Sequence, residues 1–240
     1  MAELILNGQV LEAENTLHLD IQDMTTIQTS SGVLFVAAGG YGGGMMSISV
    51  AGDGTVTLLD TMSHGPSQGA VGSFGLSLVE TGQGLVAVTG TGAGDALSGG
   101  LINSQSGQFT ASPLTVSGGI DSPVMIGIGY FLYAAAAGGG LSWHQAAGAT
   151  GFSTGSVLGD DDTVYLDDLV ALAQVQGTGG GPDLLLTLSR GDDGIGAFAL
   201  DPVTGAPSPV GSLGTQNGLG LPGAPVALEV VMLGGVPHAV

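Results

Sequence analysis

Short apolar runs alternate with glycine-rich breaks along the whole chain, and the runs are too brief and too rich in Val, Leu and Ile to read as helices. Four of them share one layout: VLFVAAGGYGGG (Val33–Gly44), GLVAVTGTGAG (Gly84–Gly94), YFLYAAAAGGG (Tyr130–Gly140) and DLLLTLSRGDDG (Asp183–Gly194). The anchors Leu34, Leu85, Phe131 and Leu184 recur roughly every 50 residues, and PHAV, with His238, opens a fifth such run at the same interval. Each anchor follows another apolar segment: Met24–Gly32, Phe74–Gly82, Ser122–Gly129, Leu169–Gly177 and Ala224–Gly235. After the first four comes a third segment (MSISV, LSGGLIN, LSWHQ, IGAFAL), then a turn such as AGDGT or DPVTG, then a fourth segment. Gly, Asn and Asp stand at the turns, where positive φ is needed.

A unit of four short strands repeating at this length is the pattern of a propeller blade. The fold class expected is all-β: a β-propeller of four-stranded blades, about four full blades plus a partial fifth. The blades fall at approximately 20–62, 70–117, 120–158, 163–214 and, in part, 221–240, within a single propeller covering residues 1–240. Asp167–Gln176 is ambiguous between helix and strand and is read as a strand from its register in the repeat. A parallel β-helix is the rival all-β architecture, but its repeats are shorter, nearer about 20 residues. The incomplete fifth unit leaves an unpaired strand edge. Either the sequence is a fragment of a longer one, or strands at Glu3–Asn7 and Thr16–Ile21 complete the last blade; an open edge would also favour self-association.

Composition changes this picture in three respects. Glycine makes up 47 of 240 residues and charged residues only 9%, with a mean hydropathy of +0.47, which argues against a disordered chain and for sheets packed closely face to face. The formal charge of −19 arises from 20 acidic residues set against a single Arg190 and no Lys. Nucleic acid and anionic membrane surfaces are thereby excluded as partners, since both need clustered basic side chains; a protein or carbohydrate partner stays open. Cysteine is absent, which removes disulfides, thiolate metal sites and thiol catalysis. The uncharged stretch Val124–Trp143 is long enough to cross a bilayer, but it holds five glycines and sits in register with the repeats, so two buried strands are expected and no membrane insertion. The first residues, MAELILNGQVLEAENTLHLD, lack the basic and continuous apolar regions of a cleavable signal peptide.

The repeat resembles the lactonase-like seven-bladed propeller repeats of secreted alphaproteobacterial proteins, carried by LFVAAGG…MSISVAGDGTVTLLDT (Leu34–Thr61) and LSRGDDGIGAFALDPVTG (Leu188–Gly205). The middle two blades depart further from it. Proteins of that group often carry calcium-binding RTX nonapeptides and a type I secretion signal. The resemblance therefore implies calcium association and an extracellular location reached without an N-terminal signal peptide. The nearest approach to a nonapeptide, GTGAGDALSG (Gly90–Gly99), has Ala93 where glycine is required.

Carboxylates are the candidate chemistry. Asp160, Asp161 and Asp162, followed by Asp167 and Asp168, form the densest group, and a calcium ion with its six to eight oxygen ligands would relieve their repulsion. Asp192 and Asp193 in RGDDG (Arg190–Gly194) are further candidate calcium ligands at a turn between the second and third strands of blade four; Arg190 there could meet a substrate carboxylate. Against these stands a solvated acidic connection and a plain hairpin turn. His18, His64, His144 and His238 lack metal-ligand spacing. For a lactonase-like hydrolase with a metal in a central channel, Glu80 and Glu229 are the catalytic candidates, late in the inner strands of two blades, with Gln28 and Gln174 as further inner-strand polar residues. Two functions follow as expectations: a secreted, calcium-associated interaction or binding module belonging to a longer exported protein, or that hydrolase.

Overall fold

The computed structural model describes residues 21–29, 32–39, 44–63, 73–91, 97–111, 120–136, 138–148, 151–153, 155–177, 180–218 and 225–240. The described residues form nineteen strands and one short 3-10 turn, Thr215–Asn217, with no α-helix. The first sheet runs β1 (Ile21–Thr29), β2 (Gly32–Gly39), β3 (Gly44–Val50), β4 (Val56–Ser63), and the second β5 (Ser73–Thr81), β6 (Gly84–Thr91), β7 (Leu97–Ile102), β8 (Phe109–Ala111). The third contains β9 (Ile120–Ile128), β10 (Phe131–Ala136) and β11 (Leu141–Ala147), with β12 (Gly151–Phe152) and β13 (Ser156–Leu158) both pairing β11. The fourth is β14 (Leu169–Val175), β15 (Leu184–Ser189), β16 (Gly194–Leu200), β17 (Pro207–Leu213), and β18 (Val230–Leu233) with β19 (Val236–Ala239) form a last hairpin. Every pairing is antiparallel and every full sheet is a meander in chain order, so the architecture is that of propeller blades, four complete and one partial.

Contacts divide the chain into two compact units, Met1–Val116 with Ala146–Phe152, and Ser117–Gln145 with Ser153–Val240. In the first unit, sheets one and two bury Leu34, Val36, Met45, Met62, Leu76 and Ala87 against each other. Two aspartates also tie these sheets: Asp23 accepts the Leu76 N–H at 2.8 Å and Asp60 the Phe109 N–H at 2.8 Å. Gly100 shows why small residues are needed there, since a Cβ on it would lie 2.7 Å from the Thr110 carbonyl oxygen and 2.9 Å from Met62 Sδ. In the second unit, sheets three and four enclose Phe131, Tyr133, Leu141, Leu166, Leu185 and Phe198. Strand β16 shows the alternation in its simplest form, with Gly194, Gly196, Phe198 and Leu200 buried and the residues between them half-buried.

A bulge recurs in all four full sheets at the same place, the pairing of the first strand with the second: Ile21/Asp23, Phe74/Leu76, Ala134/Ala136 opposite β9, and Leu169/Ala171. The ambiguous segment is strand β14, and the apolar stretch from Val124 to Trp143 is β9, β10 and the start of β11. No helix among the described residues is long and apolar enough to cross a membrane. Blade three departs from the expected single fourth strand, which is broken into β12 and β13. Beside that break the ring of His144, 1% exposed on β11, fills the place where a side chain at Gly155 would go. The proposed N-terminal strands up to residue 20, His18 and His64 lie outside the described residues, as does the middle half of GTGAGDALSG, residues 92–96.

Candidate functional site

Antiparallel order decides which loops meet. In the second unit β10 ends, and β11 begins, at the end of the sheet where Gly140 donates its N–H to the Leu166 carbonyl at 3.2 Å. The connection 160–168 into β14 and the β15–β16 turn 190–193 arrive at that same end, and Arg190 and Gly191 donate to the carbonyls of Asp168 (3.0 Å) and Asp167 (3.1 Å). A cavity of about 470 Å³ opens there, floored by Gly138–Gly140 and walled by Leu166, Asp167, Asp168, Leu169 and Arg190.

Of the clustered carboxylates, Asp167 and Asp168 line this cavity and the others lie outside its lining, each in a different role. Asp160 accepts the Leu166 N–H at 2.7 Å, and Asp192 accepts that of Asp167 at 2.9 Å. Ser189 Oγ, 2.8 Å from Asp192 Oδ2, also lies against the Asp167 carbonyl and accepts the Asp192 N–H at 3.0 Å. Partial burial, then repulsion by Asp192 and Asp167 together with a hydrogen bond to Asp192, pushes the Asp160 carboxyl above its ordinary value. Asp160, Asp167 and Asp192 are thus neighbours. Asp161 instead caps a local turn, accepting from Thr163 N (2.7 Å) and Oγ1 (2.6 Å), which holds its carboxyl below the ordinary value. Asp162 is exposed, and Asp193 occupies the turn with a left-handed φ of +46°. Asp168, also left-handed at φ +51°, forks onto Arg190 through contacts of 2.7 and 3.1 Å. The guanidinium is therefore already engaged by a carboxylate of its own chain.

Glu80 and Glu229 belong to different units and are both exposed. Glu80 pairs Leu85 across the β5–β6 hairpin, and the backbone of Glu229 exchanges both hydrogen bonds with Val240 at 2.9 Å. Gln28 is exposed on β1, while Gln174 donates to Asp183 at 2.9 Å. Among the described residues no three His, Asp or Glu side chains converge closely enough to hold a metal ion.

No protein-family model matches the chain, and no curated protein matches it. Solved structures do. A candidate 6-phosphogluconolactonase from Bacteroides fragilis is similar at 17% identity and a TM-score of 0.51, covering 87% of this chain and 59% of its own. A GH43_1 enzyme from Xanthomonas citri, complexed with xylose, is similar at 12% identity and a TM-score of 0.53, over 82% of this chain and 75% of its own. An α-L-arabinofuranosidase from Podospora anserina, in complex with cellotriose, follows at 15% identity and a TM-score of 0.50, over 83% and 70%. The chain spans 59% of the length of the first of these. At such identities the likeness concerns the fold alone: this is a β-propeller protein.

Proposed function

We propose that the protein is a propeller hydrolase acting on an uncharged lactone or related ester at the carboxylate end of blades three and four. The observation that carries this reading is the cavity walled by Asp167, Asp168 and Arg190, with Asp160 and Asp192 held on the backbone amides of Leu166 and Asp167 next to it. Such a group of carboxyls suits ester hydrolysis: a carboxylate takes a proton from the attacking water as it adds to the carbonyl, and returns it to the ring oxygen as the acyl–oxygen bond breaks. A phosphorylated substrate finds no counter-charge, since the chain has one Arg and no Lys, and Arg190 is held by Asp168. Incubation with unphosphorylated aldonolactones should give turnover that falls about 100-fold in Asp192→Asn, the size of a general-base contribution. Absence of turnover on a panel of neutral lactones by the folded protein would remove this reading.

A second reading is favoured by the crowding of Asp160, Asp167 and Asp192 itself. In it the protein is an exported, calcium-associated binding module; the three carboxylates do not converge as they stand, and an ion would have to draw them in while cancelling their repulsion. Calcium would then raise the melting temperature without any turnover, an effect absent in Asp192→Asn. A melting temperature indifferent to calcium would exclude it.

A further inference from the structure

At the other end of the same two sheets, where β9 turns into β10, lies a second cavity of about 570 Å³. Its apolar part is Ile128, Phe131 and Leu200, all buried, with Tyr130 half exposed at the mouth. Its polar part is two carboxylates, Asp183 and Asp201. Both are held in place by amide donors: Asp183 accepts from Gly177 N at 2.8 Å and Gln174 Nε2 at 2.9 Å, and Asp201 from Val203 N at 2.9 Å and Thr204 N at 2.7 Å. Among the described residues no Lys, Arg, Asn or Gln side chain lines the cavity, and the Tyr133 hydroxyl is committed to the Gly205 carbonyl at 2.8 Å.

We infer that this cleft is a binding site for an alkylammonium cation, with the charged head between Asp183 and Asp201 and against the face of Tyr130, and the alkyl body on Phe131 and Leu200. An aromatic face and fixed carboxylates attract a weakly hydrated organic cation, and the cavity size is that of a small-molecule site. A neutral sugar can donate its hydroxyls to the two carboxylates but leaves their charge uncompensated, and an anion would be repelled. The same potential is felt by the floor: after burial, Asp183 and Asp201 are what push the Tyr133 hydroxyl above its ordinary value. Neither the residues nor the chemistry overlap with the carboxylate end, so this site stands whether or not the hydrolase reading does.

The test is titration of the full chain with choline, with its neutral isostere 3,3-dimethylbutan-1-ol and with xylose, followed by chemical-shift changes or calorimetry. Choline should bind at least about tenfold more tightly than the isostere, one charge–carboxylate interaction's worth. Tyr130→Ala should weaken choline binding about three- to fivefold. Asp201→Asn keeps an acceptor oxygen for the two amides, so it should weaken binding further with its melting temperature retained. Asp193→Asn removes the same charge at the far end of the sheets and should leave choline affinity unchanged. Equal binding of choline and isostere, preference for xylose, no saturation by about 10 mM choline, or equal losses in the two Asp variants would each overturn the assignment.

Discussion

Replacing His144 by leucine should stabilise the protein and remove part of its sensitivity to acid. The imidazole is 1% exposed; its Nε2 has no hydrogen-bond partner, and Nδ1 reaches only the Ser153 carbonyl at a weak 3.4 Å. An unsatisfied buried polar atom costs about 1–3 kcal/mol, and leucine removes it at similar bulk. Setting against this the loss of the weak Nδ1 contact leaves an expected gain of about 1 kcal/mol at neutral pH. Burial also lowers the imidazole's pKa from its ordinary 6.5, the Ser153 contact opposing only in part. Below 6.5 the unfolded chain therefore binds a proton that the native state resists, and stability falls with pH until the lowered native value is passed. The slope in that window is at most about 1.4 kcal/mol per pH unit. Urea unfolding of parent and His144→Leu at about pH 8 and about pH 5.5 measures both effects, and the difference between the two proteins cancels the other titrating groups. A variant that is less stable at the higher pH and keeps the parent's slope would refute the reasoning, since the imidazole would then be a satisfied, contributing group.

Phe198→Ala should cost about 3–5 kcal/mol by denaturant unfolding, because the ring is 1% exposed at the centre of the second unit's core. Gly205→Ala should lower the melting temperature through two effects, a left-handed φ of +69° and overlap of the new methyl with the Phe131 ring; together they should exceed about 1 kcal/mol. Asp160→Asn should raise stability at neutral pH, because the native carboxyl is shifted up and its ionised form is the disfavoured one. That advantage should shrink as pH falls through the raised value toward 3.8, and a pH series of melting temperatures checks the sign.

The strands were legible because each apolar run is bounded by residues that break pairing, and the repeat fixed the ambiguous Leu169–Val175 as a strand. The burial of His144 was not legible, since alternation places Trp143 and His144 on opposite faces without saying which is the inner one. The carboxylate group was visible only as local density. That Asp192 joins Asp160 and Asp167, while Asp161 turns away onto Thr163, follows from the β15–β16 turn arriving beside 160–168, a contact between distant segments. The aromatic cleft left no motif either, for Tyr130, Asp183 and Asp201 come from three separate hairpin connections and meet only once sheets three and four pack.

The acidic character of the chain has a structural explanation that bears on any ligand. With a single arginine to pair them, the aspartates accept hydrogen bonds from backbone amides instead. Asp23 and Asp60 do so between sheets one and two, Asp160, Asp183 and Asp192 do so in the second unit, and Asp53, Asp161 and Asp201 do so within their own turns. In the turns these bonds hold the carboxyls of Asp53, Asp161 and Asp201 below their ordinary value of 3.8. Their contribution is therefore present above that value and lost as pH falls through the lowered native ones. The same carboxylates leave a surface of fixed negative charge, so an anionic ligand must pay desolvation with no ion pair in return. The two cavities described in the second unit accordingly favour neutral or cationic molecules, and phosphate esters are the class this propeller is least equipped to hold.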